Sequence, residues 1–301
     1  MNAAHPQRFL GLDVGGTQSR WALTDSAGHV HRNGHAAGFS GTQLHQDTGR
    51  AAVARTLREI ATAAGPVQGA LAGVTGLDAA QAPLLCALLA QALAIDEQAV
   101  RAMSDIELAC RAHFAPGEGV LVCAGTGSIA AFIDAQGTLH RAGGRGPVID
   151  DAGGGHWIAR EALRRVWRAE DEAPGAGAQS PLAQQLFKAI GGSEWSQTRQ
   201  WVYGATRGEL GMLALAVAAA ADEDPAALAL LHAAGAELAR LALVLRRRFG
   251  PLPVALAGRV FELHPAVRAS VAQALPAGSL VQRPPASAEV EAARIAARMG
   301  P

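Results

Sequence analysis

The feature that most constrains the fold of this chain is an internal repeat. Residues 16–32 align without gaps on residues 125–141, with eight identical pairs in seventeen positions. The pairs are Gly16/Gly125, Thr17/Thr126, Ser19/Ser128, Ala22/Ala131, Asp25/Asp134, Gly28/Gly137, His31/His140 and Arg32/Arg141. Each copy is typical of a strand, a Gly-Thr turn, a second strand, an Asp-x-x-Gly turn and a third strand. Unrelated β-meanders also share glycine turns, but eight ungapped identities favour a duplicated domain.

The pattern around the first copy predicts an α/β fold, because strands alternate with helices. Predicted strands cover 9–14, 19–24, 29–35, 67–74 and 100–103, and predicted helices cover 44–64 and 79–94. The second half is mostly helical, with a long helix that starts at Asp224-Pro225 and ends at Phe249. We expect an N-terminal domain over 1–117 and a C-terminal domain with helical additions over 118–287. A final helix over 288–299 is expected to pack back on the first domain.

Composition excludes several classes of function. Lys plus Arg and Asp plus Glu both number 26, so no charge footprint for nucleic acid or a membrane surface is expected. The longest apolar run, Met212–Ala221, is too short to span a bilayer. Three widely spaced cysteines, Cys86, Cys110 and Cys123, argue against a zinc site or a disulfide framework and favour the cytoplasm. The first eight residues lack the apolar segment of a secretion signal.

The chain has a single lysine, Lys188. It contains no GxxxxGK[ST] motif, which excludes a Walker-type phosphate loop, and it lacks the strand lysine of protein kinases. Any phosphate chemistry must therefore use backbone amides, arginine and metal.

Two Gly-Thr turns are the first candidate binding elements. Glycine lets backbone N–H groups approach phosphate oxygens closely, and residues Gly15, Gly16 and Thr17 follow an apolar strand that carries Asp13. Asp13 could hold Mg²⁺ through water, since Mg²⁺ gives up its waters reluctantly. The alternative is a solvent-facing carboxylate that accepts N–H bonds from the turn.

Asp105 follows a predicted strand and begins a predicted helix. The simpler interpretation is an N-cap, because its carboxylate can accept bonds from free amides of the first turn. The functional interpretation is a general base at the carboxyl end of a strand, where α/β sheets place ligands. The residue pattern alone favours the cap, and the two interpretations are compatible.

A glycine-rich segment, GGRGPVIDDAGGG, covers residues 143–155. Of Asp150 and Asp151, one is expected to cap the following helix and the other to accept hydrogen bonds from a polyol. Gly258, after a predicted strand, either lies against a flat ligand or forms a tight turn.

Together these motifs resemble a known family. The segments GLDVGGTQSR, MSDIE, VLVCAGTGSIAAFI, GRGPVIDDAGGGHWIAREAL and VALAGRVF occur in the order of the actin-like sugar kinases. They are most similar to the N-acetylglucosamine kinase branch of the BadF/BcrA-type ATPase family, over nearly the whole chain. The resemblance implies two ribonuclease-H-like domains around a nucleotide cleft. It implies ATP-dependent phosphorylation of the 6-hydroxyl of an amino sugar, with Mg²⁺.

The resemblance also implies roles for individual residues. Asp13 would hold Mg²⁺ through water, and Gly258 would border the adenosine. The phosphates would lie between Gly15, Gly16 and Thr17 on one side and Gly125, Thr126, Gly127 and Ser128 on the other. Asp105 matches the catalytic base, so the base is now favoured over the cap alone. Sugar contacts would come from Asp151, Ser40, Thr42 and Arg145.

Three departures concern the sugar. The family's Gly-Asp-Glu-Gly is Asp150-Asp151-Ala152-Gly153 here, Arg145 replaces an aromatic residue, and a Ser-Asn pair becomes Phe39-Ser40-Gly41-Thr42. N-acetylglucosamine and glucosamine both stay open, and an acidic sugar such as N-acetylmuramate could use Arg145. Two other functions stay open: an ATPase activator with an iron–sulfur cluster, and a non-catalytic sugar sensor. A homodimer is also kept open.

Overall fold

Five strands form one sheet in the first part of the chain. They are β1 (Arg8–Val14), β2 (Gln18–Asp25), β3 (Val30–Ala37), β4 (Gly69–Val74) and β5 (Val100–Ser104). The spatial order is β3-β2-β1-β4-β5, antiparallel from β3 to β1 and parallel from β1 to β5. The intervening helices are α1 (Asp47–Ala64), α2 (Ala82–Leu93) and α3 (Asp105–His113). Short 3-10 turns lie at Gly41–His45 and Glu97–Ala99, so the helix predicted from residue 44 begins only at Asp47.

A second sheet repeats this arrangement with four strands. They are β6 (Val120–Ala124), β7 (Ser128–Ile133), β8 (Leu139–Gly143) and β9 (Val254–Ala257). Their order is β8-β7-β6-β9, and β9 runs parallel to β6 as β4 does to β1. A single parallel bridge from Val254 to Leu280 stands on the side where the first sheet has β5. The α/β class and the two related sheets that the sequence predicts are therefore confirmed.

The remaining helices follow β8 in the chain. They are α4 (Gly155–Glu172), α5 (Pro181–Ile190), α6 (Trp195–Gly204), α7 (Arg207–Met212), α8 (Ala214–Ala220), α9 (Pro225–Phe249), α10 (Val260–Leu263), α11 (Pro265–Ala274) and α12 (Ala288–Met299). A 3-10 turn lies at Gly177–Gln179. The helices predicted over 225–249 and 288–299 are confirmed.

The computed structural model describes residues 7–175, 177–282 and 287–299, which fall into two compact units. One comprises the described residues within Met1–Ala115 and Pro284–Pro301, and the other those within Pro116–Arg283. Helix α12 thus belongs to the first unit, where it lies on β1 and β4. The domain boundary predicted between residues 117 and 118 stays a prediction.

Gly11 allows α12 to approach the first sheet closely. A Cβ at this position would lie 1.9 Å from the backbone oxygen of Glu289 and 2.2 Å from the backbone nitrogen of Ala293. Helix α12 covers this face of the sheet with α3, and α1 and α2 cover the opposite face. The parallel strands are therefore covered on both faces, as parallel sheets require.

The internal repeat extends to matching side-chain pairs. In the first copy, His31 Nε2 lies 3.2 Å from Asp25 Oδ2. In the second copy, His140 Nε2 lies 2.7 Å from Asp134 Oδ2. Each pair joins the turn between the second and third strands to the third strand. These repeated identities therefore stabilise the meander itself.

The two copies differ by one residue in the first hairpin. Four residues, 15–18, lie between the last paired residues of β1 and β2, whereas three, 125–127, lie between those of β6 and β7. The ungapped alignment consequently sets β6 one residue out of step with β1. By cross-strand pairing, Cys123 is the counterpart of Asp13. The predicted metal-binding carboxylate is therefore specific to the first copy.

Helix α9 is long and apolar enough to cross a membrane by length and composition, with a mean hydropathy of 1.7 over its most apolar window. Half of that window is buried within the protein. The helix packs against β6, β7, β8 and α11. Its apolar character is that of the central core helix of the second unit.

Asp224 holds two helices of the second unit, and its replacement should be costly. It is 5% exposed, and its carboxylate caps α9 by accepting bonds from Ala226 and Ala227 and also accepts one from Leu182 at the start of α5. We expect Asp224→Ala to lower the free energy of unfolding by about 2–3 kcal/mol, because the cap and a further buried bond are lost. Urea unfolding followed by tryptophan fluorescence measures this, since four of the five tryptophans lie in the second unit.

Asp222 supplies the matched control. Its side chain is 89% exposed and its partner is His264. Asp222→Ala should change stability by no more than about 0.5 kcal/mol. Equal losses in both variants would contradict the capping role of Asp224.

Candidate active site

The carboxyl ends of three strands meet at one edge of the first sheet. Val14 at the end of β1 pairs with Val74 of β4, and Val74 pairs with Ser104 of β5. The residues that directly follow these strands therefore lie side by side: the Gly-Thr turn, Thr75 and Asp105. This is the edge at which open α/β sheets bind ligands.

The first Gly-Thr turn is open on one side and supported on the other. Its ends are joined by the Gly15 N–H, which donates to the carbonyl of Gln18 at 2.9 Å. Gly38 supports it from behind, where a Cβ would lie 2.4 Å from the oxygen of Gly15. A Cβ on Gly16 would meet no atom within 4 Å, and among the described residues the N–H groups of Gly16 and Thr17 have no acceptor. Free amides beside open space form a nest for an anion.

Asp13 is paired across the β1–β2 ladder. Its Oδ2 accepts a bond from Arg20 Nη2 at 2.5 Å, and its side chain is 17% exposed. Its acceptor bond thus comes from Arg20 and not from the turn amides, which corrects the alternative expected from the sequence. No partner to Oδ1 occurs within residues 7–175, 177–282 and 287–299. This carboxylate oxygen fits the donor type that Mg²⁺ prefers.

Asp105 occupies the first position of α3 but does not cap it. Ser104 is the N-cap, and its hydroxyl accepts the bond from the Glu107 N–H. The cap predicted for Asp105 is therefore wrong by one residue. The Asp105 carboxylate instead accepts a bond from the Ile106 N–H at 2.8 Å, and the side chain of the neighbouring Thr75 favours its charged form.

The environment of Asp105 favours a carboxyl group that can hold a proton. Its pKa is raised above the ordinary aspartate value, chiefly because burial penalises the charged form. The negative charge of Asp13 raises it further, whereas Thr75 and the local amides lower it. A general base works best when its pKa lies near the operating pH, and the shift moves the pKa of Asp105 in that direction.

Ser40 and Thr42 lie beside the same edge. The Ser40 hydroxyl caps the short 3-10 turn by accepting from the Thr42 N–H, and it donates to the carbonyl of Thr75 at 3.2 Å. Thr42 is exposed, and its hydroxyl lies 3.0 Å from that of Ser40. The Ser40 hydroxyl therefore holds the 3-10 turn in place, whereas the Thr42 hydroxyl has fewer bonds within the protein and is better able to bind a ligand.

The second Gly-Thr turn is anchored to the start of α4. Gly155 donates to the carbonyl of Gly125 at 2.8 Å, and His156 donates to that of Thr126 at 3.0 Å. These donors are among the amides that a helix start leaves unbonded. Because a trans peptide directs its N–H opposite to its C=O, the amides of Thr126 and Gly127 point away from α4. A Cβ on Gly125 would meet nothing within 4 Å, so this turn too offers amides beside open space.

Asp151 lies buried against this second turn. It is 3% exposed, has a left-handed φ of 56°, and accepts bonds from the Gly146 N–H at 3.1 Å and from the guanidinium of Arg207. A Cβ on Gly127 would lie 2.3 Å from Arg207 Nη2 and 2.4 Å from Asp151 Oδ2. The ion pair is therefore in contact with the turn, and half of the Arg207 side chain is exposed.

Neither aspartate of the glycine-rich segment caps α4. The N-cap is Gly154, which has no side chain to accept a bond, and the second Gly-Thr turn accepts the bonds instead. Asp150 Oδ1 accepts a bond from the Ala152 N–H at 3.4 Å and lies 3.7 Å from Arg240. The capping role predicted for Asp150 or Asp151 is therefore wrong.

Three further residues of the second unit were predicted to bind ligands: Ser128, Gly258 and Arg145. The Ser128 hydroxyl is buried and donates to the carbonyl of Ala152 at 2.6 Å, so it holds the glycine-rich segment. Gly258 has φ 105°, and a Cβ there would lie 2.3 Å from the oxygen of Ala124. Packing on the end of β6 thus suffices to require glycine. Arg145 is exposed in its loop.

Two residues beside these turns, Thr75 and Arg207, are not predicted by any motif in the sequence. Thr75 directly follows β4 in a Val-Thr-Gly sequence without a recognisable motif, and the parallel register places it beside Asp105. Arg207 lies 56 residues from Asp151 in sequence, with no motif to connect them. The one available signal was the scarcity of lysine, which requires arginine wherever a long cationic side chain meets phosphate.

The three cysteines form no disulfide bond. Cys110 is buried, and Cys86 and Cys123 are partly buried and unbridged. Across the described ranges, no group of three or more His, Cys, Asp and Glu side chains could share a metal ion.

The match to a family model covers almost the whole chain. The model of the BadF/BadG/BcrA/BcrD ATPase family matches residues 10–290. The chain belongs to this family. The family's ATP chemistry agrees with two glycine turns that present free amides.

Relatives of this family member include sugar kinases. The N-acetyl-D-glucosamine kinase of Dictyostelium discoideum is 26% identical over 208 residues, which cover 65% of this chain and 64% of that protein. The match therefore spans less than two thirds of that relative. A Chromobacterium violaceum protein, described as a candidate N-acetylglucosamine kinase, has a solved structure with a TM-score of 0.75 and 25% identity. Its alignment covers 97% of this chain and 99% of that one.

A more distant structure supports the fold alone. The ROK family glucokinase of Streptomyces griseus, solved with glucose and AMPPNP, has a TM-score of 0.57 at 17% identity. The alignment covers 97% of this chain and 99% of the glucokinase. The ribonuclease-H-like architecture expected from the resemblance is consistent with both sheets.

The ion pair at the second turn should contribute to stability. We expect Arg207→Met to lower the free energy of unfolding by about 1–3 kcal/mol, because the buried Asp151 carboxylate loses a charged partner. Urea unfolding with tryptophan fluorescence measures the change. Arg199→Met, at an exposed position on α6, is the control and should stay within about 0.5 kcal/mol. An unchanged midpoint for Arg207→Met would mean that the pair does not hold the segment.

Proposed function

We propose that this protein is an ATP-dependent kinase that phosphorylates an amino sugar, N-acetylglucosamine or glucosamine, at the 6-hydroxyl. The observation that carries the proposal is Asp105, a partly buried carboxylate with a raised pKa at the carboxyl edge of the first sheet. It lies on the same edge as a Gly-Thr turn with free amides. Family membership and the kinase relatives support the same assignment.

The nucleotide contacts in this proposal come from both units. ATP supplies the phosphoryl group, and Mg²⁺ would neutralise charge on the phosphates. In the first unit the N–H groups of Gly16 and Thr17 donate to phosphate oxygens, and Gly15, whose own N–H closes the turn, lets the phosphates approach the backbone. Asp13 would hold the metal through water. In the second unit the phosphate contacts come from Gly125, Thr126, Gly127 and Ser128, and Gly258 borders the adenosine. Ser128 contributes through its backbone, since its hydroxyl is committed to Ala152.

Asp105 carries the proton transfer. Its carboxylate accepts the proton of the sugar 6-hydroxyl as that oxygen forms a bond to the γ-phosphorus. The bond from the γ-phosphorus to the bridging oxygen breaks, and its electron pair leaves with ADP. Most of the rate enhancement comes from positioning and charge neutralisation, as is usual for phosphoryl transfer.

Sugar recognition in this proposal involves Ser40 and Thr42 in the first unit and Asp151 and Arg145 in the second. Thr42 and Arg145 are exposed and can reach a ligand directly. Asp151 would share its carboxylate between the sugar and Arg207. The other proposed functions, an iron–sulfur activator and a sugar sensor, gain no support from an observation within the described residues.

A substrate panel tests the function. The purified protein is incubated with ATP and Mg²⁺ and with glucosamine, N-acetylglucosamine, N-acetylmuramate or glucose, and ADP release is measured. One of the first two sugars should give the largest kcat/KM, and the product should carry its phosphate on oxygen 6. Absence of stimulation by every sugar would reject the kinase.

Replacing the base should abolish turnover without removing the nucleotide. We expect Asp105→Asn to lower kcat by about 10²–10⁴-fold, because the amide cannot accept the proton. The Kd for ATP, measured by calorimetry, should stay within about threefold. An active Asp105→Asn enzyme would show that another group is the base.

The raised pKa of Asp105 predicts an acidic limb in the pH profile. The ionised form is the active base, so activity falls as the pH drops through the pKa of Asp105. Because that pKa lies above the ordinary 3.8, the limb should appear at a higher pH than for an unperturbed aspartate. The profile of kcat/KM for the preferred sugar measures it. A flat profile down to pH 4 in a folded enzyme would contradict this assignment.

A further inference from the structure

We propose that Arg207 is a binding residue for the phosphates of ATP: its guanidinium donates to a phosphate oxygen at the second Gly-Thr turn, and the buried Asp151 carboxylate holds it there. The inference rests on the proposed kinase function and deepens it. Arg207 lies outside every motif in the sequence, and its role follows from its place in the second unit.

The guanidinium of Arg207 contacts the end of the second Gly-Thr turn. A Cβ on Gly127 would lie 2.3 Å from Arg207 Nη2, so a glycine is needed to leave room for the guanidinium. The N–H of Gly127 points away from α4 and finds no acceptor in the described parts of the chain. The turn therefore offers an anion a free amide and a guanidinium at the same residue.

Asp151 fixes the guanidinium from the protein side. Its Oδ1 accepts a bond from the Gly146 N–H at 3.1 Å, and its Oδ2 accepts one from Arg207 Nη2. Its carbonyl accepts a further bond from the Gly154 N–H at 3.0 Å. These bonds hold the residue at its left-handed φ of 56° and give the carboxylate one orientation. An arginine bonded to a carboxylate held in this way loses less side-chain freedom when it binds an anion.

Most of the guanidinium remains available to a ligand. Asp151 is its only hydrogen-bond acceptor among the described residues, and it engages one nitrogen, Nη2. The Arg207 side chain is 47% exposed, whereas that of Asp151 is 4% exposed. The guanidinium is therefore the accessible member of the pair, and phosphate oxygens can accept from the donors that Asp151 leaves free.

The charge around the turn favours an anion over a neutral group. Burial lowers the pKa of His156, at the start of α4, and the positive charges of Arg207 and Arg160 lower it further. Asp151 acts in the opposite sense and has the smallest of these effects. A phosphate oxygen gains more from this positive charge than a neutral sugar hydroxyl does, which is why we assign the guanidinium to phosphate.

The test measures nucleotide binding to variants of the full chain in the presence of Mg²⁺. The Kd for ATP is measured by calorimetry, and the Kd for adenosine, which lacks phosphate, is obtained from its competition with ATP. We expect Arg207→Met to weaken ATP binding by about 10- to 100-fold, because a charged hydrogen bond to phosphate is lost. The Kd for adenosine should stay within about twofold of wild type, a selectivity that a merely structural role would not produce.

Arg207→Lys keeps a positive charge beside Asp151 but not the planar fork of donors. It should bind ATP about 3- to 10-fold more weakly than wild type, with adenosine binding unchanged. If Arg207→Met does not fold, Arg207→Lys decides the question by this expectation. Arg199→Met removes an exposed arginine from α6 and is the matched control, which should bind both ligands like wild type.

Three outcomes would overturn the role of Arg207 while wild type binds ATP: unchanged ATP affinity in the folded Arg207 variants, an equal loss of ATP and adenosine affinity, or the same loss of ATP affinity in Arg199→Met. A wild type that binds ATP but phosphorylates no sugar would reject the proposed kinase and not the phosphate contact. A wild type that binds no ATP would reject both.

Discussion

The parallel pairing of β1, β4 and β5 is the interaction on which the candidate site of the first unit depends. It aligns Val14, Val74 and Ser104 across three strands. The residues after these strands then share one edge although they are up to ninety positions apart in the chain. The same register places Thr75 beside Asp105, and the negative charge of Asp13 raises the pKa of the Asp105 carboxyl group. A shift of one residue in either pairing would turn these side chains to the opposite face of the sheet.

The second unit also presents a Gly-Thr turn with amides beside open space, but there a helix start holds the turn. Its Gly-Thr turn lies at the end of β6, and the first amides of α4 hold the turn carbonyls. This arrangement satisfies a helix start without a capping side chain, which explains why Gly154 is tolerated as the N-cap. It also leaves the turn amides directed away from the helix. The adjacent positive charge is Arg207, held against the turn by a buried aspartate. In the proposed function, backbone amides would take the place of the lysine that many phosphate-binding loops use.

Local sequence signals predicted local structure well. The Asp-Pro start of α9, the strands around both Gly-Thr turns and the bounds of α12 are confirmed, because each depends on residues within a few positions. Capping at the site was predicted less well. Ser104 caps α3 in place of Asp105, and neither Asp150 nor Asp151 caps α4. Asp151 instead bonds Gly146 and Arg207, and a local capping rule cannot foresee the distant Arg207. The repeat predicted two related sheets, and an ungapped alignment could not reveal the shorter hairpin of the second copy.

The sequence by itself determined that the chain contains two related α/β units with glycine turns, that an aspartate precedes the first turn, and that a lysine-based phosphate loop is absent. These follow from residue identity and spacing. The tertiary structure alone decided which carboxylates are free and which are engaged. It pairs Asp13 with Arg20 across a strand ladder, buries Asp151 under Arg207, and brings Thr75 to Asp105. The physical reason is that a carboxylate's partner and pKa depend on burial and on groups distant in sequence, which only folding brings into contact.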